Sequence, residues 1–197
     1  AINTKVKMVG DESLSKRDFN RVIVPLKSFG VNIKSQKGML PIEFVGSTLL
    51  KPIKYVENKG SAQIKTCIIL SAINTHGVTK LKAIKSRDHT ELMLKSLNYP
   101  IRIKRTNKFD LIEVKGRSQF NGFDYHVPGD ISSASFFIVL TLLSKNSELL
   151  IKNININPSR TGIITILNRM NAKIKIKNRK KYKGEKIGDL KIKSTKD

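Results

Sequence analysis

The amino-acid sequence predicts an α/β protein of the α+β type, built from tandem β-α-β-α-β-β units that make up two partial domains. Two observations predict this class. The hydrophobic period switches repeatedly between helical and strand spacing, and the same order of elements occurs twice along the 197 residues. A chain of this length can bury the core of one large domain or of two small ones.

The first predicted elements are a helix and a strand hairpin. Residues 15–29 carry apolar side chains at helical spacing, and Gly30 stands where a helix usually ends. Residues 31–35 and 42–45 alternate between apolar and polar side chains as strands do, with Lys37–Gly38 as the turn between them.

Two longer units follow, each with the order strand, helix, strand, helix, strand, strand. The elements of the first are predicted at 53–56, 61–74, 78–84, 88–97, 101–104 and 111–115. Those of the second are predicted at 124–127, 132–143, 149–154, 161–170, 172–177 and 189–193. The arginines before the second helix of successive units, Arg17, Arg87 and Arg160, are 70 and 73 residues apart. This spacing indicates a tandem of supersecondary units.

The formal net charge of +23 raises the alternative of a nucleic-acid-binding protein. However, the lysines are spread over alternate strand positions, as at Lys173, Lys175 and Lys177. The sequence has neither zinc-finger cysteines nor an aromatic-rich pair of strands for stacking bases. A biased genome composition would also produce the abundant Lys, Ile and Asn. We therefore expect no nucleic-acid partner.

The apolar segments and the single cysteine bear on the compartment. The longest apolar run, residues 136–143, is too short to cross a bilayer, and no charged leader with an apolar stretch opens the chain. Cys67 lies in an apolar segment, which favours a small buried side chain over a nucleophile. We expect a cytoplasmic protein with no membrane partner. Because the chain runs from Ala1 to a lysine-rich stretch at Asp197, we also expect an internal piece of a longer protein.

Two segments place small polar or basic residues at a helix start, where backbone N–H groups and the helix dipole favour anions. In Gly60–Gln63, Ser61 is expected to cap the helix and to suit a phosphate. The alternative is a plain cap with Gln63 in solvent. In Ser86–Glu91, serine or aspartate is expected to cap the helix, and Arg87 offers a planar fork for a phosphate. The alternative for this arginine is a surface ion pair.

The third segment is Gly10–Arg17, in which carboxylates precede a helix and Arg17 lies near its start. A structural cap with a solvated basic pair would explain it equally well. Farther along, Val127–Asp130 is predicted as a turn that could act as a hinge, with Ser132–Ser133 capping the next helix. The three histidines have no metal-ligand spacing and no cysteine partners, so no metal site is predicted.

Five sequence words, in this order and at these gaps, resemble the 5-enolpyruvylshikimate-3-phosphate synthase family of the bacterial glyphosate-tolerant type. They are Gly10–Asp11 with Ser13–Arg17, Ser61–Lys65, Ser86–Glu91, Val127–Asp130 with Ser132–Ala134, and Asn157–Gly162. The resemblance covers essentially the whole chain. It implies the enolpyruvyl transferase inverted-barrel fold, with three β-α-β-α-β-β units in each of two domains. On that basis, residues 1–127 are about one and a half units of the central substrate-binding domain, and residues 128–197 are one unit of the second domain.

The resemblance also implies an enzyme of aromatic amino acid biosynthesis, a 3-phosphoshikimate 1-carboxyvinyltransferase. Such an enzyme transfers the carboxyvinyl group of phosphoenolpyruvate to the 5-hydroxyl of shikimate 3-phosphate and releases phosphate. The residues implied to bind shikimate 3-phosphate are Ser61, Ala62, Gln63, Ser86 and Arg87. Those implied to bind phosphoenolpyruvate are Arg17 and Gln63. No cofactor or metal is implied, and the full-length protein is expected to be a monomer.

The sequence departs from the family pattern in two ways. Asp18–Phe19 follows Arg17 where the family has Pro–Met, which puts a carboxylate beside the implied anion site. No segment of this sequence matches the family's N-terminal Lys–Ser–Arg word or its C-terminal acidic, lysine and arginine words, because the run Lys85–Arg87 belongs to the Ser86–Glu91 word. No catalytic residue is therefore assigned, and the isolated stretch is expected not to turn over. The alternative from another class is a non-catalytic, polyanion-binding relative of the same fold.

Overall fold

The computed structural model describes residues 4–47 and 49–194, which form six helices and ten strands. The expectation that the chain is an internal piece of a longer protein was drawn from Ala1 and Asp197, which lie outside these described residues. The helices are α1 (Glu12–Ser15), α2 (Asn20–Ser28), α3 (Ala62–Ile73), α4 (His89–Ser96), α5 (Ile131–Leu143) and α6 (Gly162–Arg169). The strands are β1 (Lys5–Met8), β2 (Asn32–Gln36), β3 (Met39–Val45), β4 (Lys54–Glu57), β5 (Val78–Ile84), β6 (Ile101–Arg105), β7 (Phe109–Lys115), β8 (Glu148–Asn155), β9 (Lys173–Tyr182) and β10 (Glu185–Lys193).

The strands form three sheets with one shared topology. The strand orders are β1-β3-β2, β4-β5-β7-β6 and β8-β10-β9. In each sheet the last strand of the repeat lies in the middle and is antiparallel to both of its neighbours. The opening strand β4 pairs in parallel with β5. The repeat predicted from the sequence is therefore confirmed by the order and direction of the strands.

The strand predicted at residues 124–127 is wrong. The only ladder contact of that opening segment, among the described residues, is a parallel bridge between Gly129 and Ile154. The segment is held by side chains of β9 and of the turn after it, because Tyr182 Oη accepts from the His126 N–H at 3.1 Å and Lys183 bonds the Asp124 carbonyl.

The helix predicted over residues 15–29 is shorter in the structure, where α2 covers Asn20–Ser28 and α1 overlaps the predicted range only at Ser15. The Asp11 carboxylate accepts from the Leu14 N–H at 2.7 Å and so starts a short turn before the predicted helix. The Asp18 carboxylate accepts from the Asn20 N–H at 2.7 Å, just before α2, whose N-cap is Phe19. Each carboxylate takes a different backbone donor, and Arg17 lies in the turn between α1 and α2.

The second helix of each repeat ends in the same way. Gly30, Asn98 and Asn171 follow α2, α4 and α6 with φ of 100°, 55° and 62°. After α2, the Val31 N–H donates to the Leu26 carbonyl at 3.2 Å, which is the long bond of a Schellman cap. The helix end predicted at Gly30 is confirmed, and this repeated cap returns the chain into the last hairpin of each unit.

The chain divides into two compact units. The N-terminal unit contains the described residues up to Ser86 together with Asn98–Phe120. The C-terminal unit contains Arg87–Leu97 together with the described residues from Asn121 onward. Helix α4 therefore belongs to the C-terminal unit, although it is the second helix of the middle repeat. The division into residues 1–127 and 128–197 stays a prediction.

Each unit has its own apolar core. In the N-terminal unit, Ile23, Ile33 and Ile42 form a buried cluster against which Phe19 packs. In the C-terminal unit the cluster is formed by α5, α6 and the sheet, with Ile138, Leu190 and Ile192 fully buried. Helix α5 is apolar on both sides, and its outer side leaves Phe136 78% and Leu140 63% exposed. No helix of the described residues is both long and apolar enough to span a membrane.

Gly116 is required where the chain passes close to the end of α3. A Cβ at this position would lie 1.6 Å from the Thr75 carbonyl oxygen. We expect Gly116→Ala to lower the free energy of unfolding by about 2–3 kcal/mol, because backbone has to move to make room. Urea unfolding measures this change. The control is Gly122→Ala, whose Cβ would have no atom within 4 Å; equal midpoints for the two variants would contradict the packing.

Candidate functional site

The start of α3 carries three of the residues predicted to bind shikimate 3-phosphate. Ser61 Oγ accepts from the Ile64 N–H at 3.4 Å, so the predicted cap is confirmed. Gln63 is exposed, and its Oε1 accepts from Arg21 Nη1 at 3.2 Å. The first turn of α3 is thus joined to α2 by a hydrogen bond. Arg21 was not singled out from the sequence, although it lies in the helix that directly follows Arg17.

The loop before α3 is built around a buried carboxylate. Glu57 is 1% exposed and accepts from the N–H groups of Lys59, Gly60 and Ser61 at 2.7, 3.1 and 3.2 Å. These three donors are therefore not available to a phosphate. An anion at this helix start would contact the side chains and the N–H groups of the first turn. The sequence shows Glu57 only as one acidic residue at the end of a strand, so its role was missed.

Arg17 lies in the turn between α1 and α2. Its N–H donates to the Leu14 carbonyl at 3.0 Å, which fixes the backbone of the turn. The side chain is exposed, and within residues 4–47 and 49–194 its guanidinium has no hydrogen bond or ion pair. The neighbouring Asp18 directs its carboxylate to the Asn20 N–H, so this departure from the family pattern has a structural use.

Ser86 and Arg87 also carry polar groups without partners. Ser86 Oγ is buried and has no hydrogen bond to the described residues. Arg87 is exposed, and its guanidinium is unpaired in the same part of the chain. No hydrogen bond joins two of the predicted site residues among the residues that the structure describes. Unused hydrogen-bonding capacity in this part of the chain is found at Ser86 and at the guanidinium groups of Arg17 and Arg87.

The third arginine of the repeated series has a different environment. Arg160 Nη2 donates to Asp130 Oδ1 at 2.5 Å and to Ser132 Oγ at 2.6 Å. The same carboxylate accepts from the Ser132 N–H at 3.1 Å and so caps α5. The prediction that Ser132–Ser133 cap this helix is wrong, because Asp130 precedes them and offers a charged acceptor. Arg160 is neutralised, whereas Arg17 and Arg87 are not.

The aspartate at the start of α4 does not cap its helix either. Asp88 occupies the N-cap position without a side-chain capping bond, and its Oδ1 accepts from Asn157 Nδ2 at 2.8 Å. The expectation that serine or aspartate caps this helix is therefore wrong.

The next residue, His89, lines a cavity of about 410 Å³ in the C-terminal unit together with Tyr125 and Glu185. Burial, with a smaller effect of the Glu185 carboxylate, raises the pKa of Tyr125.

The structure also bears on two further kinds of site, a cysteine nucleophile and a metal site. Burial raises the pKa of the Cys67 thiol, which keeps it protonated at neutral pH and poorly suited to act as a nucleophile. In the described ranges, no group of three or more His, Cys, Asp or Glu side chains is placed to hold a metal ion.

Comparison with known proteins gives a consistent result. Residues 1–196 match the EPSP synthase (3-phosphoshikimate 1-carboxyvinyltransferase) family. The chain belongs to this family. It is 41% identical over 187 residues to 3-phosphoshikimate 1-carboxyvinyltransferase of Legionella pneumophila (strain Corby), and 43% identical over 192 residues to that of Petrotoga mobilis. These alignments cover 94% and 95% of the chain but only 42% and 44% of the relatives, so the chain spans less than half of their length.

The solved structures agree with the EPSP synthase assignment. The EPSP synthase of Acinetobacter baumannii superimposes with a TM-score of 0.82 at 36% identity, over 98% of this chain and 43% of that one. The fold class predicted from the sequence is thereby confirmed.

We expect the Asp130–Arg160 pair to make the stability of this chain depend on pH. The Ser132 N–H first, and then the Arg160 charge, lower the pKa of Asp130 below its ordinary 3.8. A carboxyl whose pKa is lower in the folded state contributes stability above the ordinary pKa and loses it as pH falls through the folded one. We expect the stability difference between wild type and Asp130→Asn to be full at pH 6 and to shrink below about pH 4.

Urea unfolding between pH 6 and pH 3 measures this difference. The matched control is Asp124→Asn, the same change at an exposed aspartate of the same unit. A difference for Asp130→Asn that stays constant over the whole range would contradict the assigned role.

Proposed function

We propose that this chain supplies part of the substrate site of a 3-phosphoshikimate 1-carboxyvinyltransferase, which joins the carboxyvinyl group of phosphoenolpyruvate to the 5-hydroxyl of shikimate 3-phosphate. The observation that carries the proposal is the contrast within the arginine series. Arg160 is bound to Asp130, whereas the guanidinium groups of Arg17 and Arg87 are exposed and unpaired in the described residues. Planar guanidinium forks with free donors suit phosphate and carboxylate oxygens.

In this proposal the two anionic substrates have separate ligands. Shikimate 3-phosphate is bound by Ser61, Ala62, Gln63, Ser86 and Arg87. Phosphoenolpyruvate is bound by Arg17 and Gln63. The hydrogen bond from Arg21 occupies Gln63 Oε1, so the amide N–H groups of that side chain are the donors left for a ligand. The unpartnered Ser86 Oγ supplies one more donor. No catalytic residue, cofactor or metal is assigned within this chain.

The remaining features of the proposal concern the parent protein. We propose that the chain is an internal piece of a longer, monomeric, cytoplasmic enzyme of the glyphosate-tolerant type. Its span of less than half of the relatives' length supports the first point, as does the uncovered apolar side of α5, where Phe136 is 78% exposed. A large apolar patch of this kind usually has a protein partner.

The alternative function, polyanion binding, rests on one surface. Lys173, Lys175, Lys177, Lys191 and Lys193 line a groove on the β9–β10 hairpin. Glu148 pairs with two of these lysines, Lys191 and Lys193, and so offsets part of the charge. Salt dependence separates this alternative from a specific substrate site, because nonspecific binding through surface lysines is strongly screened.

Titration calorimetry of the 197-residue chain with shikimate 3-phosphate tests the substrate site. We expect saturable binding that Arg87→Ala weakens about 10- to 100-fold, the range for losing charge-assisted hydrogen bonds. Arg102→Ala, which removes the same charge from the exposed side of β6, should leave the affinity within about twofold of wild type. Binding that ignores Arg87→Ala and disappears when salt is raised would favour the polyanion alternative.

Activity gives a second test. We expect the isolated chain to release no phosphate from shikimate 3-phosphate and phosphoenolpyruvate, because general acid–base groups are not assigned to any residue of it. A coupled phosphate assay measures this. Turnover above the rate without protein would mean that the chain holds catalytic residues of its own.

A further inference from the structure

We infer that Asn157 and Glu185 are positioning residues for Arg87, which they hold in place through the two residues that follow it. The inference rests on the proposed function, because it assigns Arg87 to shikimate 3-phosphate. Asn157 begins a sequence word, Asn157–Gly162, that the proposed substrate contacts leave without a role. All of the side chains concerned belong to the C-terminal unit.

The positioning contacts form one buried hydrogen-bonded cluster. Asn157 Nδ2 donates to Asp88 Oδ1 at 2.8 Å and to Glu185 Oε2 at 3.3 Å. His89 Nδ1 lies 2.5 Å from Glu185 Oε1, and Asn155 Nδ2 donates to Glu185 Oε2 at 3.1 Å. Asp88, Asn157 and Glu185 are 8%, 4% and 4% exposed. A buried polar cluster of this kind is rigid when its members are satisfied and costly to disrupt.

Asn157 is itself held in one orientation. Its Oδ1 accepts from the Ser159 N–H at 2.9 Å and from Ser159 Oγ at 2.7 Å. Its N–H donates to Asn155 Oδ1 at 2.9 Å. The amide oxygen is therefore committed to its own loop, and the amide nitrogen is directed at the two carboxylates.

The cluster acts at the residue next to the arginine. Asp88 and His89 directly follow Arg87, and both bond to the cluster rather than capping α4. The same helix also lies close to the turn before β10, because a Cβ at Gly184 would lie 2.6 Å from the Leu92 carbonyl oxygen. The backbone at Arg87 is thus fixed from its C-terminal side, while its guanidinium stays free for a ligand. Holding a binding group in place lowers the entropy lost when the ligand binds.

The test is a double-mutant cycle on the 197-residue chain, with the dissociation constant for shikimate 3-phosphate measured by calorimetry. We expect Asn157→Ala to weaken binding about fivefold, the scale of ordering one rotamer-rich side chain. In the Arg87→Ala background the same change should have no further effect, because its action passes through Arg87. The matched control is Asn168→Ala on the exposed side of α6, which should change neither value.

A second measurement needs no ligand. Hydrogen exchange at the amides of residues 87–90 should become faster in Asn157→Ala, with the core strand β10 unchanged. If Asn157→Ala leaves both the affinity and this exchange at wild-type values, or weakens binding equally in the Arg87→Ala background, the inference is wrong. If Arg87→Ala alone leaves the affinity unchanged, the proposed function fails and the positioning role fails with it. The two failures are therefore distinguishable.

Discussion

The last strand of each repeat is the constraint on which the rest of the structure depends. β3, β7 and β10 each lie in the middle of a sheet, antiparallel to the strand before them and to the strand that precedes the second helix. A central strand needs partners for its N–H and C=O groups on both sides. The chain must therefore leave the sheet through the second helix and return to it within a short length. The residue with positive φ after α2, α4 and α6 makes this return possible. The segment before that helix, where the arginine series lies, is placed by the same geometry.

Equivalent positions in the repeat nevertheless have different chemistry. Arg160 is bound by Asp130, a residue that also caps α5. Arg17 lies in the turn between α1 and α2, and the carboxylate of its neighbour Asp18 accepts from the Asn20 N–H. The difference between a structural arginine and a free one is therefore made by acidic residues that take backbone donors as well as cations. Acidic side chains are scarce in this chain, 15 against 38 lysines and arginines, so where each one lies decides which cations stay unpaired.

Two buried carboxylates also organise backbone segments. Glu57 organises the loop before α3 through three N–H groups, and Glu185 joins the start of α4 to β10 within the C-terminal unit. Both lie beside segments that contain proposed substrate ligands, and neither is assigned to a substrate. A buried carboxylate is tolerated only when its oxygens are hydrogen-bonded. The donors around these two residues therefore offset the cost of burying them. Most of the proposed substrate residues are exposed or half-buried, whereas the carboxylates that hold the neighbouring backbone are buried.

The sequence by itself determined the repeat, the class of fold and most of the elements, because hydrophobic period and helix caps are local signals. Gly30 and Ser61 are examples, since each acts within a few residues of its own position. What only the tertiary structure decided were contacts between distant residues. Asp88 has the sequence of a helix cap but bonds to Asn157, 69 positions away. Residues 124–127 alternate like a strand but are held by Tyr182 and Lys183. When a side chain can bond to a neighbouring or a distant donor equally well, packing decides which partner it takes. The local sequence pattern does not contain that information.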